Sequence, residues 1–139
     1  KMSYEMVFDV EKGDFEKAGE ASRKIKRSLQ QLGISSKVIR HIAIAGYEGE
    51  MNIAIHSDGG QIILEVDENA VTLRLEDVGP GIPNVDLAMT EGWSTASDKV
   101  REMGFGAGMG LPNMEKNADD FEIHSKVGEG TKIKMYFKL

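Results

Sequence analysis

The sequence Leu75-Glu76-Asp77-Val78-Gly79-Pro80-Gly81-Ile82 marks a point where a strand runs into a tight turn. Alternating apolar residues at Val71, Leu73 and Leu75 predict a strand that ends at Asp77. The Gly-Pro-Gly segment predicts a sharp corner, because glycine allows positive φ angles and leaves no Cβ in the way of a flat ligand. An ionised carboxylate only accepts hydrogen bonds, so Asp77 suits a ligand with N–H groups, such as an adenine amine.

The composition predicts one globular domain, over residues 2–139, that is long enough to bury a real core. Apolar residues make up 40% of the chain and charged residues 29%. Cysteine is absent, which excludes disulfides and thiolate chemistry. A net charge of −6 argues against a nucleic-acid binder, whose affinity depends on a positive surface. No apolar run approaches membrane-spanning length, and we expect a cytoplasmic location.

Hydrophobic periodicity predicts the element order β-α-α-β-β, an irregular segment, and then α-β-β. Strands are predicted at 4–10, 61–67, 70–77, 121–126 and 131–138, and helices at 15–32, 35–56, 85–89 and 111–118. Because strands and helices group, we expect an α+β, two-layer sandwich: a mixed, mostly antiparallel sheet with helices on one face. Residues 83–110 break the periodicity, which is typical of a functional lid or a disordered stretch.

Two polar residues, Glu48 and Asn52, are spaced to share one face of the second predicted helix, beside small and apolar neighbours. One interpretation is a hydrogen-bonded pair that bridges one helical turn. The other gives Asn52 an amide oxygen for a Mg²⁺ ion that also holds phosphate oxygens. Glu48 would then be the base that deprotonates an attacking nucleophile. Glu50 is predicted to be solvated, although spacing alone decides between Glu48 and Glu50 as the base.

A glycine-rich run at 104–110 precedes the helix predicted to begin near Leu111. Gly106, Gly108 and Gly110 would expose successive backbone N–H groups at the start of that helix, which favours a bound phosphate. A flexible loop is the alternative interpretation. The run is not a Walker A loop, because no Gly-Lys followed by serine or threonine comes after it.

Four motifs in register resemble the GHKL, or Bergerat-fold, ATP-binding superfamily of gyrase, Hsp90, MutL and histidine kinases. They are Glu48-x-x-x-Asn52, Asp77-x-Gly79-x-Gly81, Gly108-x-Gly110 and Gly128-Glu129-Gly130-Thr131. The run from Asp77 to Gly92-Trp93-Ser94-Thr95 is similar to the bacterial anti-sigma factor and serine kinase group, in its branch of switch kinases that act on STAS-domain proteins. The resemblance covers residues 35–137, which would form a histidine-kinase-like ATP-binding domain.

The resemblance implies a role for each matching residue. Glu48 would be the general base and Asn52 the Mg²⁺ ligand. Asp77 would accept a hydrogen bond from the adenine amine, and Thr131 would support the adenine. The other implied nucleotide-binding residues shape the adenine pocket, line its walls or belong to the lid: Gly79, Gly81, Ile82, Thr95, Gly106, Gly108, Gly110 and Leu111.

Some positions keep two interpretations. Ile82, Met89 and Leu111 would be pocket walls or plain core residues. His56 matches a phosphate-side position in related kinases, but a satisfied histidine at a helix end is the better explanation. Arg101 is the candidate lid arginine, displaced by the longer glycine run. The basic run 23–27 on the first helix is predicted to be a solvated face, with docking of an acidic partner as the alternative.

The function implied by the resemblance is a Mg²⁺-ATP-dependent serine/threonine protein kinase that phosphorylates a STAS-domain partner in a bacterial regulatory switch. The first alternative is an anti-sigma factor that sequesters a sigma factor, with ATP selecting the binding state. The second alternative is a slow ATPase or a sensor-kinase-like module. The expected partners are a STAS-domain protein or a sigma factor, and a second copy of the chain in a homodimer is a further candidate.

Overall fold

The computed structural model describes residues 3–13, 17–90 and 110–139. The helices and strands of these residues follow the predicted order: β1 (Ser3–Val10), α1 (Glu20–Gln31), α2 (Ser36–His56), β2 (Gly60–Asp67), β3 (Ala70–Asp77), α3 (Val85–Ala88), α4 (Gly110–Asn117), β4 (Asp120–Lys126) and β5 (Gly130–Lys138). Residues 91–109 of the predicted lid lie outside the described residues, and with them the candidates Thr95, Arg101, Gly106 and Gly108.

The strands form one sheet in the order β1-β2-β3-β5-β4, and all four of its pairings are antiparallel. The predicted α+β class is confirmed. We expected a mixed, mostly antiparallel sheet, and the five described strands pair only in antiparallel fashion. Short hairpins join β2 to β3 and β4 to β5, and such connections produce antiparallel pairs. Two helices lie between β1 and β2, so the chain re-enters the sheet in the direction opposite to β1.

One face of the sheet forms the core. Leu75 of β3 lies opposite Ile62 of β2 and Ile133 of β5. Two residues earlier, Leu73 also lies opposite an apolar residue of each neighbouring strand. Helices α1, α2 and α4 add to this cluster the residues Ala21, Ile25, Leu29, Ile39, Ile42, Ala45, Ile53, Leu111 and Met114. Burying these side chains on one face supplies the main driving force for the two-layer arrangement.

Close packing between α2 and β3 sets the position of the candidate site. A Cβ on Gly46 would lie 3.7 Å from Cδ1 of Leu73, and a Cβ on Gly49 would overlap the side chain of Leu75. The next turn of α2 contains Asn52, and the next inward position of β3 is Asp77. Both residues therefore lie towards the same end of the sheet.

Helix α2 begins as predicted, because Oγ of Ser35 accepts a hydrogen bond of 3.4 Å from the backbone N–H of Val38. Helix α1 begins at Glu20, which corrects the predicted start at residue 15. Gly19 precedes it with a φ of 95°, a left-handed conformation that interrupts the helix and offers no side chain as a cap. Within residues 3–13, 17–90 and 110–139, no helix combines the length and apolar character that crossing a membrane requires.

Candidate functional site

The turn after β3 is held between two other turns. The N–H of Asp58 donates to the carbonyl oxygen of Val78 at 2.8 Å. The N–H of Val78 in turn donates to the carbonyl oxygen of Gly59 at 3.0 Å. From the β4–β5 hairpin, the N–H of Gly128 donates to the carbonyl oxygen of Pro80 at 2.9 Å. Backbone groups make these three bonds, and the hydroxyl of Ser125 adds a fourth by accepting the N–H of Ile82 at 2.7 Å.

The two glycines of this turn let it pack against neighbouring backbone segments of the same chain. Gly81 has a φ of 72°, and a Cβ there would overlap the carbonyl oxygen of Lys126. A Cβ on Gly79 would lie only 3.0 Å from the backbone nitrogen of Asp58. Both positions therefore require glycine for the packing of the turn itself, whatever space they also leave for a ligand.

Asp77 and Thr131, predicted to act together, are in direct contact. Oδ1 of Asp77 accepts a hydrogen bond of 2.9 Å from the backbone N–H of Thr131. Burial raises the pKa of Asp77, the hydrogen bond from Thr131 opposes this effect, and the nearby charge of Asp58 raises the pKa further. A further N–H donor would stabilise the charged carboxylate, so the residues present fit the amine of an adenine ring.

Glu48 lies half-buried at the seam between α2 and α4. The side chain of Asn113 forms a hydrogen bond with its carboxylate. The start of α4 is also close, since a Cβ on Gly110 would lie 3.5 Å from Oε2 of Glu48. Burial raises the pKa of Glu48, and the hydrogen bond from Asn113 partly offsets that rise. The carboxylate thus pairs with α4, whereas the sequence suggested pairing with Asn52 within α2.

Sequence reasoning missed Asn113 and the residues that support it. The side-chain nitrogen of Asn117 donates to the carbonyl oxygen of Asn113 at 2.8 Å. Oδ1 of Asn117 lies 2.9 Å from Nδ1 of His41, which is on α2. These contacts form a polar ladder along the α2–α4 seam that reaches Glu48. The signal in the sequence was the spacing of the two asparagines, which places them on one face of α4.

Glu50 is buried, not solvated as predicted, with only 3% of its surface exposed. Its carboxylate accepts hydrogen bonds from Oγ of Ser22 at 2.8 Å, from the N–H of Ser22 at 3.1 Å and from the N–H of Ala21 at 3.2 Å. It therefore caps the first turn of α1, where Gly19 has no side chain to do so. A carboxylate engaged in this way is not available as a base, which favours Glu48 for that role.

The remaining described candidates are core residues or lie at helix ends. Leu111 is a core residue with 7% of its surface exposed, and Ile82 and Met89 are partly buried against the core. These contacts agree with the core interpretation left open beside the role of pocket wall. Gly110 is the first residue of α4. His56 ends α2, and burial lowers its pKa.

Residues 33–139 match a family described as the histidine kinase-, DNA gyrase B-, and HSP90-like ATPases. The chain belongs to this ATPase family. Among related proteins, it is similar to the serine/threonine-protein kinase RsbT of Bacillus subtilis, with 34% identity over 118 residues that cover 81% of this chain and 83% of RsbT. It is also similar to the anti-sigma F factor of Clostridium beijerinckii, with 32% identity over 139 residues that cover 96% and 90% of the two chains.

A second anti-sigma F factor, from Clostridium novyi, is 32% identical to this chain over 117 residues, which cover 80% of this chain and 78% of the relative. The predicted superfamily is confirmed, and so is the group of anti-sigma factors and serine kinases within it. The five-stranded antiparallel sheet with its helices is consistent with the fold of that family.

Proposed function

We propose that this chain is an ATP-dependent serine/threonine protein kinase that phosphorylates a STAS-domain partner in a bacterial sigma-factor switch. The related kinase RsbT supports the activity, and the anti-sigma F relatives support the regulatory setting. The observation that carries the proposal is Glu48, a half-buried carboxylate with a raised pKa, one helical turn from Asn52. Both lie towards the end of the sheet that holds Asp77.

The nucleotide would be held at two places. The carboxylate of Asp77, already oriented by the N–H of Thr131, would accept the hydrogen bond of the adenine amine. The amide oxygen of Asn52 would bind Mg²⁺, which when bound neutralises charge on the phosphates. At the start of α4, Gly110 would offer a backbone N–H to a phosphate oxygen.

The role we assign to Glu48 is to accept a proton. The hydroxyl oxygen of the partner's serine or threonine forms a bond to the γ-phosphorus of ATP. The bond from that phosphorus to the bridging oxygen breaks, ADP leaves with the electron pair, and Glu48 keeps the hydroxyl proton. A raised pKa brings the carboxyl group nearer to neutral pH, where a general base is most effective. Asn113 holds the carboxylate in place.

A phosphotransfer assay tests this proposal. The purified chain is incubated with γ-labelled ATP, Mg²⁺ and STAS-domain proteins encoded in the same genome. We expect label on a serine or threonine of one of them. Glu48→Gln should abolish labelling without loss of ATP affinity, and the exposed Glu115→Gln on α4 should label normally. A wild-type chain that binds ATP but labels none of these proteins would contradict the kinase function.

The second candidate function is sequestration of a sigma factor, favoured by the names of the anti-sigma F relatives. In this function the nucleotide would select the binding-competent state of the chain. Size-exclusion chromatography with light scattering, using sigma factors from the same genome with ATP or ADP, would detect such a complex. The mass of the chain alone in the same experiment tests whether it forms a homodimer.

A further inference from the structure

A groove of about 880 Å³ lies between α1 and α2, apart from the Asp77 turn. The residues that line it come from both helices and their connection: Lys26, Gln30, Ile34, Ser36, Ile39, Arg40, Ala43, Ile44, Tyr47 and Glu48. Neither the adenine nor the phosphate role uses this groove. Among the residues that the structure describes, the groove meets the candidate site at Glu48.

The α2 side of the groove is one continuous stripe. Its lining residues recur at steps of three and four from Ser36 through Arg40 and Ile44 to Glu48, which is the spacing of one helical face. The twelve steps from Ser36 to Glu48, at about 1.5 Å each, make the stripe about 18 Å long. A chain segment lying along it would therefore reach the carboxylate that we assign as the base.

The surface of the groove is apolar with basic margins. Ile44 and Tyr47 expose 40% and 38% of their surfaces, an unusual exposure for large apolar side chains that share one stripe. Among the lining residues, Lys26 and Arg40 are the cationic side chains and Glu48 is the carboxylate. Helix α1 carries further cations in its basic run, although the whole chain has a net charge of −6.

We propose that this groove docks an acidic, amphipathic segment of the protein that carries the phosphoacceptor hydroxyl, and so delivers the hydroxyl to Glu48. The occupant's chemistry follows from its surroundings: apolar side chains at helical spacing would contact Ile44 and Tyr47, and carboxylates would meet Lys26 and Arg40. The continuity of the groove with Glu48 identifies this segment as part of the substrate. The inference rests on the proposed kinase function.

The first test measures docking without phosphotransfer. A fluorescein-labelled peptide of alternating leucine and glutamate blocks is titrated with the chain, beside a peptide in which lysine replaces every glutamate. We expect the acidic peptide to bind at least about tenfold more tightly. Lys26→Glu with Arg40→Glu should remove that preference. The matched control is Lys134→Glu, because its exposed side chain lies on β5, away from the helices.

The second test measures the kinetics with the phosphorylated STAS-domain protein. Arg40→Glu and Ile44→Ser change exposed side chains, so both variants should fold, which thermal melts confirm. We expect the KM for the protein substrate to rise about tenfold, with kcat and ATP affinity unchanged.

The outcomes separate the two proposals. An unchanged KM in both variants, or equal binding of the two peptides, would overturn the docking groove and leave the kinase intact. Absence of phosphotransfer by the wild-type chain would overturn the kinase, and delivery to Glu48 with it. If the variants instead lose only self-association, the groove is a contact between two copies of the chain, which also overturns the proposal.

Discussion

Helix α2 presents a glutamate to each of the two helices beside it, and the two regions differ sharply. Towards α1, Glu50 receives two backbone N–H groups and a hydroxyl. Towards α4, Glu48 receives a side-chain amide from Asn113 and is left with a raised pKa. Both carboxylates meet the first turn of a neighbouring helix. The difference teaches that several N–H and O–H donors bind such a carboxylate into the fold, whereas a single donor leaves part of it open to a chemical role.

The largest expected effect comes from Glu48→Gln, which keeps the shape of the side chain and removes the proposed base. We expect kcat for phosphotransfer to fall by about 10²–10⁴-fold, because general-base catalysis contributes that range. ATP affinity, measured by calorimetry, should not change. Residual activity close to that of the wild type would remove Glu48 as the base.

The stability of Glu48→Gln sharpens the comparison further. Since burial raises the pKa of Glu48 in the folded state, its ionisation destabilises the fold as pH rises through that pKa. The variant should therefore be as stable as the wild type at low pH and at least as stable at neutral pH, as measured by urea unfolding.

Glu50→Gln should give the opposite result. Losing charge-assisted hydrogen bonds in a buried position should lower the free energy of unfolding by about 2–3 kcal/mol. The folded fraction should keep its ATP affinity, because Glu50 points away from the site. Urea unfolding measures the effect, with the exposed Glu115→Gln as control. A fully stable Glu50→Gln protein would show that the cap on α1 is unimportant.

Asp77→Asn tests the proposed adenine end of the site, which is built from β3 and β5 and not from the seams of α2. The asparagine keeps an oxygen that can accept a hydrogen bond from the N–H of Thr131. Its amide N–H₂, however, would face the adenine amine, and two donors cannot form a hydrogen bond. We expect ATP affinity in calorimetry to fall about tenfold or more, since a hydrogen bond to a charged group is lost. Asp120→Asn is the matched control, because its exposed carboxylate starts β4, opposite Tyr136, at the end of the sheet away from Asp77. Equal losses in both variants would mean that the adenine end is misplaced.

The smallest effect is expected from Asn113→Leu, which makes the surroundings of Glu48 poorer in donors. Burial would then raise the pKa of Glu48 without the opposing hydrogen bond. The acidic limb of the pH–kcat profile should move to higher pH, while Glu115→Gln leaves it in place. A limb that stays where it was would show that Asn113 does not tune Glu48.

The sheet and the Asp77 turn could be predicted from sequence because their signals are local. Alternation at Val71, Leu73 and Leu75 depends on the two-residue period of a strand with one buried face. The requirement for glycine at Gly81 comes from its own φ angle. Residues close together in the sequence therefore determine both the strand and the turn.

The roles of Glu50 and Asn113 could not be predicted, because they depend on which helix covers which flank of α2. Glu48 and Glu50 lie about 200° apart around the helix, so they point to nearly opposite flanks. The pattern of one helix shows that one of them faces away from the other, and solvent was the simplest environment to assume. In the fold, α1 and α4 cover both flanks. The missing local cap at Gly19 was the one hint that a residue from elsewhere supplies it.

The turn that holds Asp77 depends on segments that are synthesised far apart in time. Its carboxylate is oriented by Thr131, 54 residues later in the chain. A nascent polypeptide therefore cannot orient Asp77 in this way until the β4–β5 hairpin has left the ribosome and joined the sheet. If the proposed site holds ATP, the nucleotide would favour, by mass action, only molecules in which this hairpin has joined the sheet, so cellular ATP would act on maturation as well as on activity.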